Sequence, residues 1–410
     1  MIKPLRTSRI LRQTNRQTLL TLLYFNEPIS RLDLSQRSGL SPATVTNVVS
    51  ELLHDGIIVE TGVEESQGGR PRMALAMNFN RGYFIGMDLG ETHIDVELFD
   101  IKLQSIAHVR HEVSESENQP AYMVSYIVET VERLLCQADV SQEQIIGLGI
   151  GIPGIVDRAS GVSIVAPNWG WQSVPLLALL ESKLHMPILL ENGAKAMGLA
   201  EMWFGAGKGL SNLAVLLVGT GLGAGIILQR ELYHGATNSA GEWGHTCVEL
   251  RGRSCQCGSR GCIEAYAGAR GIITTLHELD PHNPALQHAT QQAILQALCD
   301  AAAQEDPLAK QVLSVTTEYL AAAIANVINL FNPELIVLGG WGGRLIGKLI
   351  LCELSQTISR YALKAPLEAA AMTLSELNSN GVSMGAASLV LQDFLSGNLP
   401  QFAFPMKVHK

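Results

Sequence analysis

The chain has 410 residues, too many for one ordinary domain, so we expect two or three domains. Hydrophobic residues make up 47% of it, enough for sizeable cores, and no long uninterrupted apolar run indicates a membrane span. The N-terminus is basic and polar and lacks the apolar segment of a signal peptide. We therefore expect a cytoplasmic protein without membrane contact.

The net charge of −9 by itself argues against nucleic acid as a partner, but the charge is unevenly distributed. Residues 1–50 contain seven basic and two acidic side chains, a net charge of +5, which leaves −14 for the remainder. A basic head on an acidic body is typical of DNA-binding proteins. A solvated helix face would give the same local composition.

Three helical patterns follow one another in the basic segment. The first spans residues 10–26, and the second spans about 31–38, with Ser30 as its N-cap and Gly39 in the turn after it. Ser41 caps a third helix, whose first position is a proline. Two helices joined by a short glycine turn predict a helix-turn-helix.

Small and polar side chains lie off the apolar stripe of the third helix and are predicted to read a major groove: Ala43, Thr44, Thr46 and Asn47. Residues 57–61 and 72–77 are predicted strands, and together they would form a wing hairpin. Arg70 near its tip suits an A·T-rich minor groove. A three-helix protein-interaction module is the alternative interpretation.

From Tyr83 onward, predicted strands alternate with helices, and the pattern of strand, glycine turn and strand begins again near Asn212. Two such α/β halves facing a cleft fit the duplicated fold of actin and the hexokinases. The glycine turns after Asp88 and from Gly219 have the composition of phosphate-binding turns. Glycine turns between strands also occur for purely steric reasons.

A histidine is followed by three closely spaced cysteines: His245, Cys255, Cys257 and Cys262. One imidazole and three thiolates complete a tetrahedral set, which predicts a structural zinc ion. Three buried thiols with an unrelated histidine are the alternative. The apolar helical patterns around three other cysteines predict that these are core residues: Cys136, Cys299 and Cys352.

The segment from Asn238 to His245, followed by CQCGSRGCIEAYA, closely resembles the signature of the ROK family (repressors, open reading frames and kinases). The runs LGIGIPGIVD, APNWGW, ILLENGAKAMGLAE and LVGTGLGAGII resemble further family motifs in the same order. The resemblance extends from about Tyr83 to Leu391. It implies an α/β protein with an N-terminal winged helix-turn-helix followed by a two-lobed, actin-like ATPase (ribonuclease H-like) ROK sugar-kinase fold.

The expected domain boundaries follow from these patterns. Residues 1–80 would form the winged helix-turn-helix, which family repressors carry and family kinases lack. Residues 81–200, with a C-terminal helix at about 381–396, would form the first lobe of the ROK domain. Residues 201–380 would form the second lobe and carry the zinc site.

The resemblance also implies a set of sugar-binding residues: Asn168, Asn192, Glu242, His245 and Glu264. Gly193 stands where family kinases have the aspartate that acts as base on the sugar hydroxyl, and Glu91 stands where they usually have glycine. Since the loss of a general base typically costs about 10²–10⁴ in rate, we expect no catalytic residue and no enzyme activity.

The expected function is that of a repressor of carbohydrate-uptake or catabolism genes, released from operator DNA by a sugar or sugar phosphate. Repression rather than activation rests on the resemblance alone. Because a helix-turn-helix normally reads two half-sites, we expect a homodimer or homotetramer. Two alternatives remain: an ATP-dependent ROK sugar kinase, which an ADP-release assay would reveal, and a zinc-stabilised interaction protein, which no sugar would stabilise.

Overall fold

The computed structural model describes residues 8–64, 72–79, 82–114, 117–377 and 380–399. The N-terminal head contains α1 (Ser8–Asn26), β1 (Ile29–Ser30), α2 (Arg31–Ser38), α3 (Pro42–His54), β2 (Ile58–Glu64) and β3 (Arg72–Met77). Its antiparallel strands pair in the order β1-β3-β2. The two-residue strand β1 was not predicted, because it is too short to show a periodicity.

The local signals predicted in the head are confirmed. Ser30 accepts a hydrogen bond from the Asp33 N–H at 3.2 Å, and Ser41 accepts one from the Thr44 N–H at 3.2 Å, so both helices carry the expected N-caps. Gly39 ends α2 with φ of +69°, a left-handed conformation that glycine adopts without steric cost. The apolar stripe of α3 is buried between the three helices.

The first lobe is built on a five-stranded sheet whose order is β11-β7-β4-β5-β6. Its elements are β4 (Tyr83–Leu89), β5 (His93–Phe99), β6 (Ser105–Glu112), α4 (Pro120–Ala138), β7 (Ile145–Ile152), β8 (Ile155–Asp157), β9 (Val162–Ala166), β10 (Trp171–Val174), α5 (Leu176–Glu181), β11 (Ile188–Asn192) and α6 (Gly193–Trp203). Strands β11, β7 and β4 are parallel, and β4, β5 and β6 form an antiparallel meander. Strands β8 to β10 form a separate small sheet.

The second lobe repeats this plan with the strand order β14-β13-β12-β15-β16. Its elements are β12 (Leu213–Val218), β13 (Leu222–Leu228), β14 (Glu231–Leu232), α7 (Glu264–Ala267), α8 (Ala269–Leu279), α9 (Gln291–Ala303), α10 (Pro307–Phe331), β15 (Leu335–Gly339), α11 (Gly340–Ile358), α12 (Lys364–Ala369) and β16 (Ala371–Leu374). Helix α10 is long and apolar enough to cross a membrane, but 61% of its apolar window is buried inside the fold. It is the central helix of this lobe's core.

The last helix, α13 (Gly381–Ser396), returns to the first lobe and packs on β4, β7 and α6. It approaches the sheet so closely that only glycine fits beneath it. A Cβ on Gly86 would lie 1.9 Å from the Ser383 carbonyl oxygen, and one on Gly149 would lie 1.9 Å from the Ala386 carbonyl oxygen. The glycines of β4 and β7 therefore fix the position of α13.

The head shares a hydrophobic core with the first lobe. Leu19 and Leu23 of α1 belong to the same buried cluster as Phe84 of β4 and Leu391 of α13. Because these contacts join α1 to the body, the head is held against the first lobe in this structure.

One prediction about the core was wrong. Cys299 is buried, as expected, but Cys136 and Cys352 are exposed, because each lies on the solvent side of an amphipathic helix. Charged and apolar residues alternate along β5, yet every residue of this strand is buried.

Gly149→Ala should lower the free energy of unfolding by about 1–3 kcal/mol, because the new methyl group collides with the α13 backbone. Gly343→Ala is the matched control, since its Cβ would meet no atom closer than 3.4 Å and alanine favours a helix. Thermal unfolding of both variants measures the difference. Equal stabilities would show that α13 adjusts freely.

Candidate functional site

A cleft of about 560 Å³ opens between the two lobes. It is lined by all five side chains that the resemblance implied as sugar ligands: Asn168, Asn192, Glu242, His245 and Glu264. Glu91, Gly193 and the turn from Gly219 to Gly223 line it as well. Residues that lie far apart in the sequence thus face one cavity, which has the size range of small-molecule sites.

Asn192 ends β11 and caps α6. Its side-chain oxygen accepts hydrogen bonds from the N–H groups of Ala194 at 2.9 Å and Lys195 at 3.2 Å, and its amide nitrogen donates to the Gly154 carbonyl at 2.9 Å. The oxygen is therefore fully used by the helix, and one N–H of the amide remains for a ligand. Gly193, the next residue, places no side chain in the cleft.

Carboxylates and one amide form the opposite wall. Asn168, from the short 3-10 turn after β9, donates a hydrogen bond to Glu91. Glu264, at the start of α7, accepts one from the Leu222 N–H at 2.9 Å. Burial raises the pKa of Glu242 above its ordinary value, although His245 opposes the shift. Such fixed acceptors and donors match the hydroxyl groups of a polyol.

A second polar cluster, which the sequence analysis missed, lies where β4 and β5 meet the start of α13. Asn380 caps α13 and donates to Asp88 at 2.9 Å and to Asp95 at 3.3 Å. His93 lies 3.4 Å from Asp88 and 3.5 Å from Asp95. Arg110 of β6 donates to Asp95 at 2.8 Å. The signal in the sequence was three ionisable residues at alternate positions of a central strand, His93, Asp95 and Glu97.

Burial lowers the pKa of His93, but the hydrogen bond and charge of Asp88, together with Asp95, more than offset it, so the pKa is raised overall. The ligand atoms of Asp88, His93 and Asp95 lie within 4.8 Å of one another, close enough for a metal ion. Arg110 and Asn380 already supply this cluster with a positive charge and N–H donors.

The predicted metal ligands converge. One donor atom from each of His245, Cys255, Cys257 and Cys262 lies within 4.8 Å of the others. The Sγ atoms of Cys257 and Cys262 are 3.7 Å apart, and Cys255 Sγ is 3.6 Å from His245 Nδ1. Tetrahedral zinc with Zn–S bonds near 2.3 Å requires sulfur atoms about 3.8 Å apart. The donor set and its spacing therefore fit zinc.

The protonation state of the thiols also depends on a bound cation. Burial and the neighbouring thiols raise the pKa of Cys262 to about 12, so near neutral pH this sulfur is protonated unless a metal ion holds it as a thiolate. Cys247, the one cysteine that the sequence analysis passed over, pairs its backbone with Cys262 but does not belong to the donor set.

The predicted DNA-reading residues lie on one side of α3. Ala43, Thr46 and Asn47 are exposed and Thr44 is half-buried. The two threonine hydroxyls already make local contacts, Thr44 with Ser41 at 2.9 Å and Thr46 with the Pro42 carbonyl at 2.8 Å. Asn47 is thus the side chain of the four best placed to reach a base. Arg70 lies outside the described residues.

Part of the basic charge of the head is neutralised by its own acids. Arg12 and Arg16, one helical turn apart on α1, pair at 2.7 and 2.9 Å with Glu51 of α3 and with Asp55, the C-cap of α3. Arg31 pairs with Glu60 at 3.0 Å. These acids come just after residue 50, so the count over residues 1–50 overstates the charge available to DNA.

A model of the ROK family matches residues 84–393, and a model described as winged helix-turn-helix DNA-binding matches residues 11–59. The xylose repressor of Caldicellulosiruptor bescii is 31% identical over 398 residues, which cover 96% of this chain and 99% of its own. A crystal structure of a ROK family transcriptional regulator, a homolog of the E. coli MLC protein, is 28% identical with a TM-score of 0.81 and covers 95% of this chain and 98% of its own. A ROK family glucokinase from Streptomyces griseus, in complex with glucose and AMPPNP, is 29% identical with a TM-score of 0.67 and covers 75% of this chain and 99% of its own.

Cys257→Ser should abolish stoichiometric metal binding and loosen the loop between His245 and Glu264, because a hydroxyl cannot replace the thiolate. Cys247→Ser is the matched control, since this exposed cysteine of the same loop is outside the donor set. Elemental analysis of both proteins, purified without chelator, measures the difference. A parent protein without zinc, or equal metal content in both variants, would contradict the assignment.

Proposed function

Since this chain belongs to the ROK family, we propose that it is a sugar-responsive transcriptional repressor of carbohydrate-uptake or catabolism genes. The observation that carries the proposal is that one chain contains both a winged helix-turn-helix and a polar cleft. This chain also matches a xylose repressor over almost the full length of both proteins. The protein acts in the cytoplasm as a homodimer or homotetramer on an operator with two half-sites.

The head binds operator DNA with α3 in the major groove. This docking is supported by the small, exposed N-terminal half of α3, where Asn47 offers both an amide donor and an acceptor to an adenine edge. Arg70, near the tip of the wing, enters the adjacent minor groove. Phosphate contacts from the remaining basic side chains supply affinity rather than sequence preference.

Asn47→Ala should relax the base preference at one operator position, at a cost of about 1–3 kcal/mol for a bidentate contact. Arg70→Ala should weaken binding to all sequences. It should also reduce the salt dependence of binding, because one cationic side chain near the DNA phosphates is lost. Ser50→Ala, one turn further along the exposed face of α3, is the control. Footprints that are the same for Asn47→Ala, Arg70→Ala and the parent would refute this docking.

The cleft binds the effector through Asn168, Glu242, Glu264 and the free N–H of Asn192. His245 both ligates zinc and presents its other ring nitrogen to the sugar, so the metal fixes the orientation of a sugar contact. When bound, zinc holds the loop from His245 to Glu264 in place and supplies no catalytic chemistry, since four protein ligands leave no open position.

The same cleft lacks what a sugar kinase needs. Gly193 provides no general base at the position where family kinases have aspartate. The turn from Gly219 to Gly223 has the glycine-rich composition of a phosphate-binding turn and lines the cleft, and this is what favours the kinase alternative. Without the base, we propose that the cleft senses a sugar and does not phosphorylate it.

Two helices connect the cleft to the head, which supports the proposed coupling between sugar and DNA. Helix α6 is capped by Asn192 in the cleft and ends at Trp203. The Trp203 ring packs edge to face on the Phe25 ring of α1, with the ring centroids 5.6 Å apart. Helix α13 begins at Asn380 in the cleft and ends at Ser396, which accepts a hydrogen bond from Gln17 of α1 at 2.9 Å. Lobe closure around a sugar would therefore shift the heads and spoil the half-site spacing.

Glu242→Ala should give a protein that binds operator normally but no longer leaves it when sugar is added, because a ligand shifts an equilibrium only through different affinities for two states. Glu242 is a cleaner target than His245, whose loss would also remove zinc. Operator binding by fluorescence anisotropy, with and without a sugar found by thermal shift, measures the response. Release at the parent's sugar concentration would exclude this cleft as the effector site.

Phe25→Leu tests the other end of the same path. It removes the ring contact with Trp203 but leaves cleft and α3 untouched, so operator and sugar affinities should each persist while their mutual effect shrinks. Because coupling is reciprocal, operator DNA should weaken sugar binding less in this variant than in the parent, by the same factor.

A further inference from the structure

The carboxylate of Glu91 lies at the sugar end of the cleft. It accepts a hydrogen bond from the Asn168 amide, and this amide in turn faces Glu264 across Gly221. A Cβ on Gly221 would lie 2.8 Å from Glu264 Oε2 and 3.8 Å from Asn168 Nδ2, so these groups form one continuous wall. Glu242 lines the same cavity. Three carboxylates therefore surround the subsite.

Groups that would bind an anion there are engaged elsewhere. The N-terminus of α6 points its N–H groups at the cleft, but Asn192 occupies those of Ala194 and Lys195. Such a helix terminus binds phosphate only when its N–H groups are available. In the turn from Gly219 to Gly223, the Leu222 N–H is bonded to Glu264 and the Gly219 N–H to the Gly221 carbonyl. Anion binding at this end would therefore depend on the remaining N–H groups or on a cationic side chain.

Two arginines line the cleft among the described residues, besides the histidines of the β5 cluster and of the metal cluster. Arg110 is bonded to Asp95 at 2.8 Å and to Glu112 at 2.6 Å. Arg344 lies on α11, one turn after Trp341, whose ring packs on Gly219.

The floor of the cleft next to this subsite is also acidic. Asp88 and Asp95 converge on Asn380, and the Glu97 carboxylate accepts the Asn380 backbone N–H at 3.1 Å. A phosphate group that extended from a sugar toward the first lobe would meet these oxygens next to Glu91. Phosphate carries a charge of about −1.5 to −2 at neutral pH, so its contact with the carboxylates is repulsive, although Arg110 offsets part of their charge.

We infer that Glu91 makes the cleft selective for an uncharged sugar over the corresponding phosphate ester. The inference rests on the proposed function and names the chemical class of its effector. The carboxylate accepts hydrogen bonds from hydroxyl groups, which an uncharged sugar supplies, and repels an oxyanion, which has only acceptors to offer. Selectivity thus comes from one residue that attracts one class and rejects the other.

The test compares D-glucose and N-acetyl-D-glucosamine with their 6-phosphates, and adds D-xylose as a further uncharged probe. Binding to the full-length, zinc-loaded protein is measured by titration calorimetry and thermal shift. The parent should bind at least one uncharged sugar at least about tenfold more tightly than a phosphate ester, a difference of about 1.4 kcal/mol. Glu91→Gln, which keeps the shape but removes the charge, should reduce this ratio about tenfold.

Glu91→Asp keeps the charge and should keep the preference, which separates charge from shape. Glu129→Gln, at an exposed position of α4, controls for net charge. The inference is overturned if a 6-phosphate binds the parent as tightly as its free sugar, or if Glu91→Gln leaves the ratio unchanged. If no probe of either class binds the parent or alters its operator affinity, the proposed function itself fails, and the inference fails with it.

Discussion

Asn192 and Asn380 each cap a helix at the floor of the cleft, and both helices run from the cleft to contacts with α1. Each side-chain oxygen satisfies two N–H groups of the first helical turn, and each amide nitrogen reaches across to another element, Gly154 or Asp88. A ligand that disturbs either cap acts directly on a helix that ends against α1. The two capped helices thus join the cleft to the winged helix-turn-helix head.

Close packing makes such a link effective. Because α13 lies on the glycines of β4 and β7, it cannot slide independently of the sheet, and its C-terminal end carries that constraint to the head. The ion pairs from Arg12 and Arg16 to α3 then orient the reading helix relative to α1. The exposed pair of Arg12 and Glu51 contributes little to stability, so its role here is to orient the helix.

The charged side chains that line the cleft bear on which ligand it suits. His245 of the candidate zinc cluster lines the cleft together with the carboxylates of Glu91, Glu242 and Glu264, and Arg110 is paired with Asp95 on β5. A site of this composition suits hydroxyl recognition and is poorly suited to phosphoryl transfer, which needs cations around the transferred group. The loss of the base at Gly193 and the gain of a carboxylate at Glu91 change the chemistry in the same direction.

The sequence by itself determined the helix caps at Ser30 and Ser41, the alternation of strands and helices, and the four-residue cluster that could hold a metal ion, because each depends on residues close together in the chain. The family motifs also located the five cleft residues. Only the tertiary structure decided that the Asn192 amide donates to Gly154, that His93, Asp95 and Glu97 gather around Asn380, and that Glu51 and Asp55 neutralise arginines of α1. These contacts join segments tens to hundreds of residues apart, and local pattern carries no information on which distant side chains packing will bring together.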